Sequence, residues 1–513
     1  MSAKISRFLS KLPHFFTLVT GVFLVWILGL LVLGERWLSF SFHNQALAKN
    51  IALYPVSLCV IWLWLFLYRR FPAVAFASKR PVVLLCAAHA LLFLVQYTMV
   101  RSLWFYPAWD PQPVSIAAQE LAQGLPVSTT DYFSMVPHNA ALPLLLSLPY
   151  RLGLRLGLAE PYVLLPLSGA AAINLACFFS TLALRRISGS WRTAFFGFGL
   201  STVFILLSPY AAVAYSDPFA LFFTSLGLYL SVTKLRPTFK WFFVTAVLFL
   251  GAAFKATTMI FWIALLLWEL LKPKNFQPVA SFGKHCLALL LAVALGFLPG
   301  LALQQTARHQ VTEKDLLAGQ LPLSHYLMMG LNPETYGGNS PEDEAFSLSF
   351  SSAAERTQAN FHKARERLTA MDWKKTLEFF SVKLYKSYNS GTFAWNGSFL
   401  AQEIPRRTDA LSTLLRNIYY NGRVYNGYYI TFYHILWLAI LTLSALVCLL
   451  RKKQAAFVPP LSLTLLGLSL YLMLFECWPR YLFLYSTFFV ICAALGVQAL
   501  AAALPPHVKQ KKT

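Results

Sequence analysis

The feature that most constrains this chain is a succession of apolar runs about 20 residues long, the length that carries an α-helix across a bilayer. LPHFFTLVTGVFLVWILGLLVL near the start and LYSTFFVICAALGVQALAAA near the end are typical. Runs of this length are twice what a membrane-crossing strand needs, which excludes an outer-membrane barrel. Charged residues make up 12% of the chain, against about 25% in soluble domains, which excludes an ordinary soluble enzyme. The predicted fold is an all-α polytopic membrane protein with about 12 transmembrane helices.

A net charge of +23, from 43 Lys plus Arg against 20 Asp plus Glu, would suit a nucleic-acid partner if the bases shared one surface. They do not. Lys4/Arg7/Lys11, Arg69/Arg70/Lys79/Arg80, Arg185/Arg186/Arg192, Lys234/Arg236/Lys240, Lys272/Lys274/Lys284, Arg451/Lys452/Lys453 and Lys509/Lys511/Lys512 each lie between or beside apolar spans. Such spacing marks cytoplasmic loops, so the basicity is a topology signal and no nucleic-acid partner is expected. No CxxC or Cys/His cluster occurs among the seven cysteines, so neither a disulfide framework nor a zinc site is read.

The patches orient the chain with both termini cytoplasmic. Residues 1–80 form a transmembrane hairpin, its first helix read as retained and not as a cleaved leader. Residues 81–303 form the transmembrane core and include an outer loop, 102–161. There HNAALPLLLSLPYRLGLRLG is read as a helix lying along the outer surface, because a crossing at this point would put the basic LRRISGSWR outside. Spans are expected near 162–184, 193–208, 212–233, 241–254, 257–271 and 285–303. A large extracytoplasmic loop follows over 304–427, with 12 acids and 14 bases. In it AAERTQANFHKARERLTAMDWKKTLEFFSVKLYKS reads as one or two amphipathic helices. Residues 428–513 supply the last transmembrane helices and a basic cytoplasmic tail.

With the patches and the large loop set aside, few charges remain. Arg101, Asp110, Asp131, Asp217, Lys255, Glu476 and Arg480 all fall at the same outer level of this topology. Charges in or near lipid are functional candidates by default, and both signs at one level suit a site that binds an anion and moves a proton. Each has a plainer reading. Asp110, in WFYPAWDPQP, is either a base in apolar surroundings or the N-cap of the helix that follows. Lys255, in AAFKATT, is either a phosphate ligand or a lysine snorkelling at a helix end. Asp217 in AYSDPF is a contact residue or a cap. Arg480 in WPRYLF holds a phosphate or pairs with Glu476. His138 is a weak candidate, and capping accounts for its neighbour Asn139.

The order of these pieces resembles the GT-C superfamily of membrane glycosyltransferases, which includes protein O-mannosyltransferases and the aminoarabinose transferases of lipid A. The resemblance is carried by Asp110 in AWDPQPVSIAAQELAQG after an outward span, DYFSMVPHN leading into an apolar surface helix, SPYAAVAYSDPFALFF, AAFKATT, a large outer loop and a late WPRYLF. SHYLMMGLNPETYGGNSPEDEAF and YNSGTFAWNGSF look like a bacterial integral-membrane subgroup within it. The match covers about 81–503 and leaves the first hairpin as an addition. His138-Asn139 departs from the two asparagines common in related sequences, and Asp131 does not pair with Asp110 as in some relatives.

The resemblance implies a polyprenyl-phosphate-sugar donor, an acceptor hydroxyl on the extracytoplasmic side and location in the plasma (inner) membrane. Asp110 would be the base, and Lys255 and Arg480, with Arg101, Asp217, Asp131 and His138 nearby, would bind the donor phosphate and substrate. No cofactor is required. A divalent cation is possible if Asp110, Asp131, Asp217 and the acids at Glu342–Glu344 meet. The rival readings are a flippase or transporter of lipid-linked saccharides, which would need polar residues at mid-depth, and a ligase or polymerase using His309, His325 or His362.

Overall fold

In the computed structural model, residues 12–36, 38, 45–71, 80–271, 282–312, 319–399, 407–450 and 457–505 are described. The basic patches at both termini and at 451–453, along with Lys79, Lys272 and Lys274, lie outside them. The described chain is helical, with no strand. A first hairpin comprises α1 (Leu12–Leu33) and α2 (Asn50–Arg70), and α3 (Arg80–Leu103) follows. The segment after it, expected on the outer side, contains α4 (Pro111–Gln123), the short α5 (Thr130–Met135) and α6 (Ala141–Arg155). Then come α7 (Leu164–Ser188), α8 (Trp191–Ser201, prolonged by a π-turn over Thr202–Leu206), α9 (Ser216–Ser231), α10 (Pro237–Phe254), α11 (Met259–Leu270) and α12 (Phe282–Val311).

The large loop after α12 folds into α13 (Leu323–Gly330), α14 (Pro341–Leu348), α15 (Ala353–Thr369), α16 (Trp373–Tyr388) and α17 (Trp395–Phe399). Short α18 (Ala410–Tyr419) leads into α19 (Asn426–Leu449), α20 (Val458–Leu474), a 3-10 turn over Pro479–Tyr485 and α21 (Ser486–Ala503).

Among the described residues eight helices are long and apolar enough to cross a membrane, so the protein is multi-pass by helix content. The expected spans near 193–208, 212–233, 257–271 and 457–475 are helices too, but shorter. Their ends are cut by chemistry visible in the chain. Pro209 stops the segment after the π-turn, and Lys255 adopts extended backbone between α10 and α11. Such interruptions free backbone groups and are tolerated at membrane depth only where the surrounding protein satisfies them.

Burial orders the helices. α19 and α21 are buried over most of their length, whereas α2, α3 and α12 leave most of theirs for lipid. The hairpin is not an appendage: α1 packs on α19 and α20, and Asn50 donates to Leu31 O at 2.9 Å and to Asn389 Oδ1 at 2.7 Å. α6 is amphipathic, with Leu142, Leu146 and Tyr150 buried and Leu148 and Leu152 exposed, and it packs on α4.

One boundary differs from the sequence reading. The span expected to end at 303 continues as helix to Val311, because LQQTARHQ contains no helix breaker. Arg308 and His309 are therefore on a helix and not in a loop. The long amphipathic stretch is two helices, divided where Asp372 caps α16 by accepting from Lys375 N at 2.8 Å.

The helices of this large loop form a cap clamped to the long apolar helices. The Lys383 ammonium, on α16, is fully buried and donates to Gly330 O and, at 2.8 Å, to Phe475 O. Gly330 lies so close to the end of α20 that a Cβ there would strike the backbone of Leu474 and Phe475. Gly337, at φ +68°, turns the chain so that its carbonyl accepts from Cys477 N at 2.8 Å.

Candidate functional site

The late segment WPRYLFLY sets the geometry. Its 3-10 turn starts at Pro479, and Tyr485 at its far end accepts from Phe261 N at 3.0 Å while donating to Thr257 O at 2.8 Å. One segment therefore positions Arg480 and also pins the interrupted backbone that carries Lys255. Tyr210 stacks flat on Phe483 with ring centroids 3.8 Å apart, fixing the approach to α9.

Lys255 does not snorkel. Its ammonium is ion-paired with Asp217 and lies over the Tyr481 ring at 4.9 Å. Asp217, fully buried in the first turn of α9, makes no capping bond. Its second oxygen has no hydrogen-bond partner. A lone charge at this depth would cost several kcal/mol of desolvation, so each residue makes the other tolerable.

Asp110 occupies the cap position of α4 but its carboxylate caps nothing; the backbone there is already helical and Pro111 follows. Its side chain is 44% exposed and its Oδ2 stands 3.8 Å from Arg480 Nη2. Trp109, just before it, holds φ +56°, a conformation costly for any residue but glycine and typical of sites where position matters more than local comfort. Arg480 packs against the rings of Tyr215, Phe399 and Tyr481 at 5.6, 5.8 and 5.3 Å. Glu476 does not need Arg480, since it accepts from the Tyr481 hydroxyl at 2.7 Å.

His138 stands at the mouth of this cluster with its ring edge-on to Tyr326 at 5.8 Å. It is reached by solvent, yet the protein crowding around it, with Lys255 and Arg308, pushes its imidazolium down to about 4 against the pull of Asp110. Asn139, whose side chain caps no helix, donates to the hydroxyls of Tyr132 at 2.6 Å and Tyr215 at 3.1 Å.

The structure thus brings together Asp110, His138, Asp217, Lys255 and Arg480 from segments up to 370 positions apart in the chain. Arg101 and Asp131 are not joined to them: Arg101 is exposed over Tyr97 on its own helix at 5.5 Å, and Asp131 is exposed in the first turn of α5. Sequence reasoning missed Arg308, Tyr132, Tyr215, Tyr326 and Tyr481. Only the tyrosine-rich outer boundaries hinted at them, and such tyrosines also anchor ordinary membrane helices. Among the described residues no three His, Cys, Asp or Glu side chains form a group able to hold a metal ion, and Asp110, Asp131 and Asp217 do not meet as a ligand set.

A family model described as conserved hypothetical integral membrane protein matches residues 4–501. The chain belongs to that family. No curated protein and no solved structure matches it. For this integral membrane family the match spans the hairpin, the core, the cap and the last helices together, in keeping with a cap and hairpin packed into the same body. What the arrangement can do chemically follows from its parts: a half-exposed carboxylate able to accept a proton, 3.8 Å from a guanidinium able to hold an anion, with the ammonium of the Lys255–Asp217 pair as a second cation in the cluster.

Proposed function

We propose that the protein is an inverting GT-C-type glycosyltransferase of the cell envelope, moving a sugar from a polyprenyl-phosphate-sugar to an extracytoplasmic acceptor hydroxyl. The observation that carries this reading is the pairing of an uncapped, half-exposed carboxylate, Asp110, with the nearly buried Arg480 across 3.8 Å, beside the second cation, Lys255. In this reading twelve helices cross the plasma membrane, including the four shorter ones, and both termini are cytoplasmic. The cap helices and α6 then lie at the outer face, where a lipid-linked donor would present its phosphate and sugar.

Asp110 takes the proton of the acceptor hydroxyl as its oxygen attacks the anomeric carbon. The bond from that carbon to the phosphate oxygen breaks, and the electron pair leaves on polyprenyl phosphate. Arg480 and Lys255 stabilise the charge gathering there, with Asp217 keeping Lys255 protonated at depth. A single displacement inverts the anomeric centre. The phosphate is already an activated leaving group, so the step requires no cofactor.

The transporter reading gains less support. His89, Gln96 and Asn174, buried polar groups of α3 and α7, are bonded to one another, although His89 Nε2 has no partner: His89 Nδ1 and Asn174 Oδ1 lie 2.9 Å apart, and Asn174 donates to Gln96 Oε1 at 3.0 Å. Bonds of this kind tie helices together. The ligase or polymerase reading would use loop histidines, but His325 is buried and bonded to Ser347 at 2.8 Å.

The test uses purified protein in nanodiscs with a panel of radiolabelled polyprenyl-phosphate-sugars and an envelope extract, wild type beside Asp110→Asn. Label should leave the lipid with wild type, and the rate should fall by about 10²–10⁴ in the variant, the usual worth of a positioned base, with donor binding kept. Equal rates would move the base elsewhere, and binding without transfer across the panel would favour the transporter.

A further inference from the structure

α18 is amphipathic the wrong way round for water. Its buried residues are Ser412, Arg416 and Tyr419, which share one helix face, whereas Leu411 and Leu414 stand 50% and 46% exposed. Each of the three buried side chains has a partner. Ser412 Oγ lies 3.0 Å from Ser102 Oγ, the Arg416 guanidinium donates to Arg407 O, and the Tyr419 hydroxyl donates to Leu207 O at 2.8 Å. Tyr420, next in the chain, donates to Leu103 O at 2.6 Å. Leu103 is the last residue of α3, and Leu207 follows the π-turn of α8. α18 thus roofs the ends of two apolar helices, where carbonyls lack partners within their own helix, and this fixes its level at a membrane boundary. Tyr425, whose N–H donates to Asn417 O at 3.0 Å, and Tyr428 in the first turn of α19 are exposed beside it, as boundary tyrosines are.

The charges at this boundary are mostly of one sign. α3 exposes Leu91, Leu94 and Tyr97 as one stripe, and Arg101 closes it, exposed, with its guanidinium over the Tyr97 ring at 5.5 Å. A chain of bonds brings Arg407 to the same end: Ser412 Oγ donates to Asp409 Oδ2 at 2.9 Å, and Arg407 Nε to that oxygen at 3.2 Å. Arg423 is exposed three positions after Tyr420. Among the described residues of α3, α18 and the turn into α19, Asp409 is the only acid. We propose that α18 lies in the headgroup layer of the leaflet at which α3 ends, its leucines among acyl chains, and that Arg101 holds the phosphate of an anionic phospholipid whose chain follows the Leu91–Leu94–Tyr97 stripe. Arg407 and Arg423 supply the surrounding positive charge. A lipid fits here because α3 leaves most of its length to the bilayer, so a phosphate at the end of its stripe arrives on an acyl chain. Arg101, expected from the sequence to serve the donor phosphate, thereby serves a lipid of the bilayer itself. The site is separate from the Asp110 cluster and requires neither a sugar donor nor a reaction.

The test uses the full chain in a cysteine-reduced background, in nanodiscs of phosphatidylcholine with phosphatidylglycerol. A fluorophore on Leu411→Cys is quenched by a nitroxide carried on the acyl chain of either lipid, or by aqueous iodide. The same dye on Trp373→Cys, at the exposed start of α16, is the water-facing reference. Both Leu411 and Arg101 are exposed, so changes there leave the packed interior untouched. At 411 the nitroxide lipids should quench, and iodide should act far less than at 373. Nitroxide on phosphatidylglycerol should quench more than nitroxide on phosphatidylcholine. Arg101→Gln should cut that preference about fivefold, the usual worth of one basic side chain at an anionic surface, and Arg101→Lys should keep it. Iodide quenching at 411 equal to that at 373 overturns the embedded helix. Shielding from iodide and nitroxide alike would mean that protein covers the face, and overturns it too. A headgroup preference absent from the Arg101 protein, or unchanged in Arg101→Gln, overturns the phosphate site.

Discussion

At the scale of single residues the site is a balance of charges that cannot be removed one at a time. Asp217→Asn would leave the Lys255 ammonium, 11% exposed, without its counter-ion. The loss should be about 3–5 kcal/mol of stability, as for other broken buried pairs, read as a lowered melting temperature in detergent. Asp217→Asn/Lys255→Met should recover part of it; a double variant worse than the single would show that the pair is not the source. Arg480→Lys keeps the charge but loses the plane that lies on three rings, so transfer should fall about 10²-fold, the worth of one fixed donor to developing charge, with little change in melting.

Four of these residues were legible in the sequence. Asp110, Asp217, Lys255 and Arg480 are charges stranded at apolar boundaries, and lipid makes that a conspicuous place for a charge. Asn139, Tyr132 and Tyr215 were not legible, because an amide and two phenols at a membrane surface cost little and signal little. Arg308 was hidden by a helix that ran further than its hydropathy. The plainer readings also parted company: snorkelling for Lys255 and capping for Asp110 and Asn139 gave way to bonds made across the chain.

At the scale of elements the cap depends on two buried titratable groups. His325, enclosed between α13 and α14, is pushed down to about 4 by desolvation against the pull of Asp343. Its folded value lies below the ordinary 6.5, so the unfolded chain binds the extra proton first as pH falls, and stability is lost between about 6.5 and 4. A shift of that size corresponds to an order of about 3 kcal/mol. Melting at pH 7 and pH 4.5 should therefore differ less in His325→Gln than in wild type, and an unchanged difference would rule the histidine out.

Lys383 behaves in the same sense at the other end of the scale. Burial, helped by Lys386, brings it down to about 8 against Cys477 and Glu476. The stability of the neutral amine is full above 10.5 and lost as pH falls through about 8. Lys383→Met should abolish that alkaline gain in melting temperature. It should also destabilise the protein by about 1–3 kcal/mol near neutral pH, by leaving two buried carbonyls without a donor. None of this could be read from YKS or SVK in the sequence, where a lysine on an amphipathic helix looks like a solvated one.

At the scale of the whole molecule the helical, membrane-spanning class of the fold was legible, because a bilayer asks only for apolar length. Less legible was the division between membrane part and cap. The sequence marks 304–427 as a loop, whereas α16 lies against α1 and α20 and the chain behaves as one body. Orientation has its own test in a cysteine-reduced background. A membrane-impermeant maleimide should label Trp373→Cys, on the exposed flank of α16, in intact cells. Leu235→Cys, between α9 and α10, should be labelled only after permeabilisation. The reverse pattern would invert the topology.

The Asp217–Lys255 pair also has a consequence in time. A ribosome delivers Asp217 first and Lys255 38 residues later, so during synthesis the carboxylate reaches the membrane boundary before its counter-ion exists. The natural unit of insertion is therefore the α9–α10 hairpin and not either helix alone. Arg480 arrives only with the last helix, and the site stays electrically unfinished until then. Crosslinking between positions 217 and 255 in nascent chains arrested before residue 470 reads this directly. A contact that forms only once the last helix is made would mean that the pair is a product of final assembly.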